Sequence, residues 1–138
     1  MGVHMMSLPV TLLSAAAAAL INAWLGYRIG QLRRSFKVSV GHGGNEPLER
    51  RMRAQANFIE NVPLFLLLLA ALEISGGNRA LLAIVAAVFV LSRVAHAYGM
   101  EGGSLQRWRQ IGILTTFLAT IVLTVWAAIC GVEALLGR

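Results

Sequence analysis

Apolar residues in this chain gather into four long runs that are separated by short polar stretches. The runs cover about residues 8–29, 53–72, 80–100 and 111–136. Each run is long enough to cross a bilayer, because a helix needs roughly 20 residues to span a hydrocarbon core of ~30 Å. The pattern therefore predicts an all-α fold in which four transmembrane helices form a bundle.

Short glycine-containing segments mark two of the turns between the runs. GGN at residues 76–78 separates the second run from the third, and GGS at residues 102–104 separates the third from the fourth. Residues 39–47 form the one long predicted loop, between the first two runs. We interpret residues 6–138 as a single four-helix domain, because we find no internal repeat and no low-complexity tail. Residues 1–5 precede a second plausible start at Met6 and are interpreted as a remnant of expression cloning.

The composition supports a membrane protein and excludes other classes. Hydrophobic residues make up 57% of the 138 residues and charged residues 13%, and the mean hydropathy is +0.70. A soluble domain has about a quarter of its residues charged, so an ordinary water-soluble enzyme and a disordered chain are excluded. The single cysteine, Cys130, allows no internal disulfide, and no Cys or His spacing indicates a metal site.

The positive charges predict an orientation. The net charge of +6 would suggest a nucleic-acid partner in a soluble protein, but no nucleic-acid-binding motif occurs. Most bases lie in or beside the first and third loops: Arg28, Arg33, Arg34, Lys37, Arg50, Arg51, Arg53, Arg107 and Arg109. The opposite side has Arg79 and Arg138. The positive-inside rule therefore predicts that loops one and three are cytoplasmic and that both termini lie outside.

The first run is rich in small residues. It contains consecutive alanines at residues 15–19 and a GxxxG pair formed by Gly26 and Gly30. Small residues let helix backbones approach closely in lipid. They indicate either packing within one bundle or an interface between copies of the chain, and the sequence leaves both readings open.

Charged residues inside the second and third runs lie at a common depth. Glu60 and Arg93 each lie seven residues from the predicted cytoplasmic end of their run, about 10 Å deep. Charges inside a membrane span are costly and indicate a functional site. Their opposite charges predict an ion pair between the two helices. Arg53, Asn57 and Glu60 are spaced i, i+4, i+7 and therefore share one helical face.

The same end of the bundle collects further polar side chains: Arg33, Arg34, Gln55, His96, Tyr98, Arg107 and Arg109. Arginine presents a planar fork that matches carboxylates, so this end suits a small anionic or zwitterionic ligand. The bilayer beside it could deliver an apolar co-substrate. Structural readings remain open, because arginines also anchor topology, the Glu60–Arg93 pair could only join helices, and His96 could be a packing residue.

Three segments resemble one known family. RAQANFIENVPLF at residues 53–65 resembles the R-A-x-x-N-x-x-E-x-x-P signature of the MAPEG family, the membrane-associated proteins of eicosanoid and glutathione metabolism. LRRSFKVS at residues 32–39 resembles the end of the family's first helix, and SRVAHAYG at residues 92–99 resembles its third. The resemblance implies a homotrimer of four-helix protomers that binds glutathione between neighbours near the cytoplasmic face. Within the family, the sequence resembles bacterial members of the microsomal glutathione transferase type. We therefore expect the protein to lie in a bacterial inner membrane.

The resemblance also implies roles for individual residues. Glutathione, as co-substrate and without a metal cofactor, would be bound by Arg33, Arg53, Gln55, Asn57, Glu60, Arg93, His96 and Tyr98. Arg107 or Arg109 would stabilise the thiolate, with Arg34 as a further candidate catalytic group. Members often carry tyrosines where this chain has Asn61 and Met100, so two hydroxyl contacts of the family are missing.

The leading functional hypothesis is a glutathione transferase or peroxidase that acts on lipophilic electrophiles or hydroperoxides from the bilayer. The thiolate would be the nucleophile. The missing hydroxyls support an alternative, a non-catalytic lipid-binding or scaffolding homologue. A small proton-coupled exporter is a third reading, although such proteins carry their buried glutamate in the first span. Expected partners are a lipophilic small-molecule substrate, membrane lipid and further copies of the chain, but no nucleic acid.

Overall fold

Four α-helices run alternately up and down and account for most of residues 7–137, the part of the chain that the computed structural model describes. They are α1 (Pro9–Phe36), α2 (Glu46–Ile74), α3 (Arg79–Gly99) and α4 (Gln106–Leu135), with a 3-10 turn at Gly103–Leu105 ahead of α4. Each is long and apolar enough to cross a membrane. The all-α prediction with four spans is confirmed for this part of the chain, and the predicted cloning remnant lies outside it.

The helices extend beyond the apolar runs at the end of the bundle where α1 meets α2. The predicted bounds 8–29 and 53–72 are too short there, because helical backbone hydrogen bonds do not require apolar side chains. The first turn of α2 contains acidic residues, whose negative charges interact favourably with the positive end of the helix dipole. Glu46 also pairs with Arg50 one turn later, at 2.6 Å. α1 ends at Phe36, and the next residue, Lys37, has a left-handed φ of 55° that turns the chain out of the helix.

The core of the bundle is a stripe of buried residues on each helix, spaced alternately by three and four positions. Examples are Phe58, Val62, Phe65, Leu69 and Leu72 on α2 and Leu82, Ala86 and Phe89 on α3. The rings of Phe65 and Phe89 stack with their centroids 3.6 Å apart. Large apolar side chains also cover the outside of the helices, which is the expected surface of a bundle that faces lipid.

Small residues bring α3 and α4 into close contact. A Cβ atom placed on Gly112 would lie 2.6 Å from the Cβ of His96 and 2.7 Å from the carbonyl oxygen of Ser92. Deeper in the same seam, the hydroxyls of Ser92 and Thr116 are 2.8 Å apart. A Cβ on Gly99 would overlap the backbone of Arg109. Glycine at these points therefore sets the distance between the two helices.

A buried carboxylate joins α1 to α2 at the other end of the bundle. Glu73, on the last turn of α2, accepts hydrogen bonds from the backbone N–H groups of Val10 and Thr11 at 3.0 and 2.9 Å. The Thr11 hydroxyl donates a third bond at 2.8 Å. These N–H groups have no partner within α1, because they lie in its first turn. Glu73 thus caps α1 and fixes the two helices against each other.

Candidate functional site

A polar cleft of about 320 Å³ opens between α2, α3 and α4, near the turn that joins α3 to α4. Its lining residues come from these three helices and from Met100, which directly follows α3: Arg53, Ala56, Asn57, Glu60, His96, Met100, Arg109 and Ile113. This volume lies at the small end of the range for ligand pockets, roughly 300–1,000 Å³. The cleft brings together five of the side chains predicted for the site: Arg53, Asn57, Glu60, His96 and Arg109.

One face of α2 forms the first wall of the cleft. Arg53, Asn57 and Glu60 all line it, as their i, i+4, i+7 spacing indicates. Arg53 and Glu60 are exposed, whereas Asn57 is half-buried. Pro63 follows within the same helix and has no N–H to donate to the carbonyl of Ile59, so the helix lacks one backbone hydrogen bond beside Glu60.

Arg93 lies behind this wall and not in the cleft. Its side chain is buried, with the residue only 2% exposed. One terminal nitrogen donates to Asn57 Oδ1 at 2.7 Å and the other to the carbonyl oxygen of Gly112 at 3.0 Å. The predicted Glu60–Arg93 ion pair is wrong, since within residues 7–137 Arg93 forms no ion pair. The two residues share a depth, but Arg93 is buried inside the bundle while Glu60 is exposed and lines the cleft.

The second wall of the cleft comes from α3 and α4. His96 is buried, and its Nδ1 lies 3.4 Å from the carbonyl oxygen of Arg109. The side chain of Arg109 lines the cleft. Arg107 instead lines a separate surface hollow with Ser104 and Gln110. Of the two arginines that the sequence could not distinguish, the structure therefore brings Arg109 to the other candidate residues.

Other predicted site residues lie away from the cleft of their own protomer. Gln55 donates to Asn22 Oδ1 at 3.1 Å and so joins α2 to α1. Arg33 donates to the carbonyl oxygen of Ser39 at 3.1 Å, next to the end of α1. Two further predicted site residues lie outside the cleft lining: Arg34, which is exposed near the end of α1, and Tyr98, whose ring lies 5.4 Å from that of Trp24. The residues that line the cleft come from α2, α3, α4 and the residue directly after α3, whereas Arg33 and Arg34 belong to α1.

A charged cluster that the sequence did not predict lies close to the site. Arg28, buried on α1, forms an ion pair with Glu101 and lies over the ring of Trp24 at 4.6 Å. Arg51 on α2 binds the same carboxylate at 3.0 Å and donates to the carbonyl oxygen of Arg28 at 2.9 Å. The cluster ties α1 and α2 to the segment that follows α3. Its one signal in the sequence is Glu101, a lone acid among the bases of the third loop.

A second hollow of about 280 Å³ continues from the cleft towards the end of the bundle. It shares Arg53, Met100 and Arg109 with the cleft and adds Glu46 and Glu49 from the first turn of α2. A polar molecule could therefore reach the cleft from the aqueous side. Among the residues that the structure describes, no three His, Cys, Asp or Glu side chains lie close enough together to hold a metal ion.

These features define a class: a four-helix membrane protein with an arginine-rich cleft near one end of the bundle. The chain matches the model of the MAPEG family over residues 11–129 and therefore belongs to the MAPEG family. It is similar to the inner membrane protein YecN of Escherichia coli K12, with 28% identity over 114 residues that cover 83% of this chain and 86% of YecN. YecN of an Escherichia coli O6:H1 strain gives the same values. The family predicted from three short segments is confirmed.

Proposed function

We propose that this protein binds glutathione in the cleft and acts as a glutathione transferase or peroxidase on lipophilic electrophiles or hydroperoxides. The observation that carries the proposal is the meeting of Arg53, Asn57, Glu60 and Arg109 in one cleft. Membership of the MAPEG family supports it, since this family is named for eicosanoid and glutathione metabolism.

The charges of the cleft match those of glutathione, which has two carboxylates and one ammonium group. Arg53 and Arg109 each present several N–H donors, and a guanidinium can bind a carboxylate with two parallel hydrogen bonds. Glu60 supplies an acceptor and a negative charge for the ammonium group. Two arginines and one glutamate around one small cleft therefore complement the ligand group by group.

The same arrangement supports nucleophilic chemistry at the thiol. A cation beside a thiol favours the thiolate, which is the reactive form. Arg109 is the candidate for this role, because its side chain lines the cleft and its position is fixed by the close contact between α3 and α4. Ile113 lines the cleft one turn further along α4 and is 48% exposed. A lipophilic electrophile would approach from the bilayer at this apolar rim.

We also propose that the working unit is a homotrimer in a bacterial inner membrane, with loops one and three in the cytoplasm. The distribution of bases supports this orientation, and the relative YecN is described as an inner membrane protein. The cleft is lined by α2, α3 and α4. Helix α1 of a neighbouring copy would complete it with Arg33 and Arg34.

Thermal unfolding of the detergent-solubilised protein during a glutathione titration tests the proposal. We expect a saturable rise in the unfolding temperature of the wild type, because a ligand that binds only the folded state stabilises it. Glu60→Ala should abolish the rise. Glu133→Ala is the matched control, since it removes an exposed carboxylate near the far end of α4 and should keep the rise.

A wild-type protein that shows no shift at millimolar glutathione would contradict the proposal. Stabilisation by lipids in that case, with conjugation of electrophiles at background level, would favour the accessory lipid-binding role. A shift that survives Glu60→Ala would place glutathione outside the cleft.

A further inference from the structure

The amide of Asn57 can point only one way while Arg93 is bound to it. The guanidinium of Arg93 has donors and no acceptor, so the Asn57 atom that meets it at 2.7 Å must be the oxygen. The amide nitrogen, Nδ2, then points away from Arg93. Within residues 7–137 no protein acceptor takes its hydrogens, and Asn57 lines the cleft.

We propose that Arg93 is a positioning residue that holds the Asn57 amide as a hydrogen-bond donor to an acceptor oxygen of the ligand. The proposal rests on the proposed function for the identity of that ligand, glutathione. It also narrows the chemistry: Asn57 recognises a carboxylate or carbonyl oxygen and not the ammonium group, which is left to Glu60.

The buried charge of Arg93 also supports an acceptor oxygen of the ligand at Asn57. Its charge is buried, and the hydrogen-bond partners of its terminal nitrogens, the Asn57 amide and the Gly112 carbonyl, are neutral. Its Nε has no hydrogen-bond partner in the described part of the chain, although the guanidinium lies 6.0 Å from the ring centre of Phe89. A buried charge without a counterion favours negative charge nearby. Anionic oxygen bound to Asn57 would supply it from the cleft side.

Arg93 also fixes the position of the Asn57 amide relative to the cleft. Its second hydrogen bond goes to the backbone of α4 at Gly112, so one side chain on α3 ties α2 to α4 across the floor of the cleft. The backbone carbonyl of Asn57 is itself held by the amide of Asn61 at 2.7 Å. Asn57 is therefore constrained both through its side chain and through its backbone.

Asn57→Asp tests the donor directly. The carboxylate can still accept from Arg93 and is the same size, but it cannot donate to a ligand oxygen. We expect glutathione affinity, measured by calorimetry, to fall at least tenfold. Asn78→Asp is the matched control, because it makes the same change at an exposed residue at the other end of the bundle, where a carboxylate can still accept from the backbone N–H of Leu81, and it should keep the affinity within about threefold. Unchanged or stronger binding by Asn57→Asp would overturn the proposal.

A ligand-independent measurement separates this proposal from the proposed function. With Arg93 present, Asn57→Asp gives the buried guanidinium a counterion, so the unfolding temperature should stay the same or rise. In an Arg93→Leu background the same change should lower it, because the carboxylate then lacks its partner. The absence of this sign reversal would overturn the pairing itself, even in a protein that does not bind glutathione.

A double-mutant cycle tests whether Arg93 acts through Asn57. Arg93→Leu should weaken glutathione binding in the wild type but have little further effect in an Asn57→Ala background. Arg93→Lys, which keeps a charged donor group, should restore part of the affinity. Equal losses in both backgrounds would show that Arg93 only holds the bundle together, and would overturn its role as a positioning residue.

Discussion

Arg107 and Arg109 lie two positions apart at the start of α4 and differ in their surroundings. Arg109 lines the cleft with Glu60 and His96, whereas Arg107 lines a hollow on the outer surface. An offset of two positions turns a helical side chain by about 200°, so both cannot face the same cleft. Their environments therefore favour Arg109 as the residue that contacts the ligand.

Arg109→Leu should lower glutathione affinity tenfold or more in calorimetry. A hydrogen bond to a charged group contributes about 1.5–3 kcal/mol, and 1.4 kcal/mol corresponds to a factor of ten in affinity. Arg107→Leu is the matched control and should leave the affinity nearly unchanged. If Arg107→Leu lowers the affinity and Arg109→Leu does not, Arg107 is the residue that contacts the ligand.

At the level of whole helices, the contact between α3 and α4 builds the second wall of the cleft. Gly99 and Gly112 leave no room for a side chain, so His96 and Arg109 are held at opposite sides of one narrow seam. The wall is consequently rigid at the point where the ligand would bind. The helices could not approach this closely with larger residues at the two glycines.

Gly112→Ala should destabilise the protein by about 1–3 kcal/mol, the usual cost of overpacking, and weaken glutathione binding. The added methyl group would meet His96 and Ser92 at less than van der Waals distance and push α3 and α4 apart. Gly131→Ala is the matched control on the same helix, because a Cβ there meets nothing within 4 Å. It should leave stability unchanged or raise it slightly through better helix propensity. Thermal unfolding and the glutathione titration measure both effects, and equal behaviour of the two variants would contradict this account of the seam.

At the scale of the whole molecule, the proposed trimer makes a prediction about mixed assemblies. If α1 of one copy completes the cleft of the next, Arg33→Ala and Arg53→Ala damage opposite sides of each site. Co-expressed subunits of the two kinds should then regain binding at about a quarter of the sites, by random assembly of a cyclic oligomer. The measurement is glutathione binding per subunit in the purified mixture.

The control for this experiment replaces the Arg53→Ala subunit with one that carries both substitutions. Such a subunit supplies neither arginine to a site, so the mixture should not bind glutathione. No recovery in the test mixture would show that each cleft is completed within its own protomer. Recovery in the control would show that the regained binding does not come from Arg33 of a neighbouring subunit. The mass of the detergent-solubilised protein gives the oligomeric state independently.

Much of this protein follows from its sequence because lipid restricts the choices of the chain. In a bilayer the backbone must satisfy its own hydrogen bonds, so four long apolar runs imply four helices. Helical geometry then places Arg53, Asn57 and Glu60 on one face without knowledge of any neighbour. The R-A-x-x-N-x-x-E-x-x-P segment predicts the family from the sequence alone, because all its polar residues lie within a single helix.

Only the tertiary structure decided how the helices are rotated against one another. Depth along the membrane suggested Glu60 as the partner of Arg93, but packing turns Arg93 towards Asn57 and Gly112. The ion pair of Arg28 with Glu101 joins residues 73 positions apart, which no local pattern could reveal. Periodicity determines which residues share a face within one helix, whereas the contacts between helices depend on side-chain volumes at the seams. For that reason the sequence determined the spans and the polar end of the bundle, and the packing determined which of the polar residues meet.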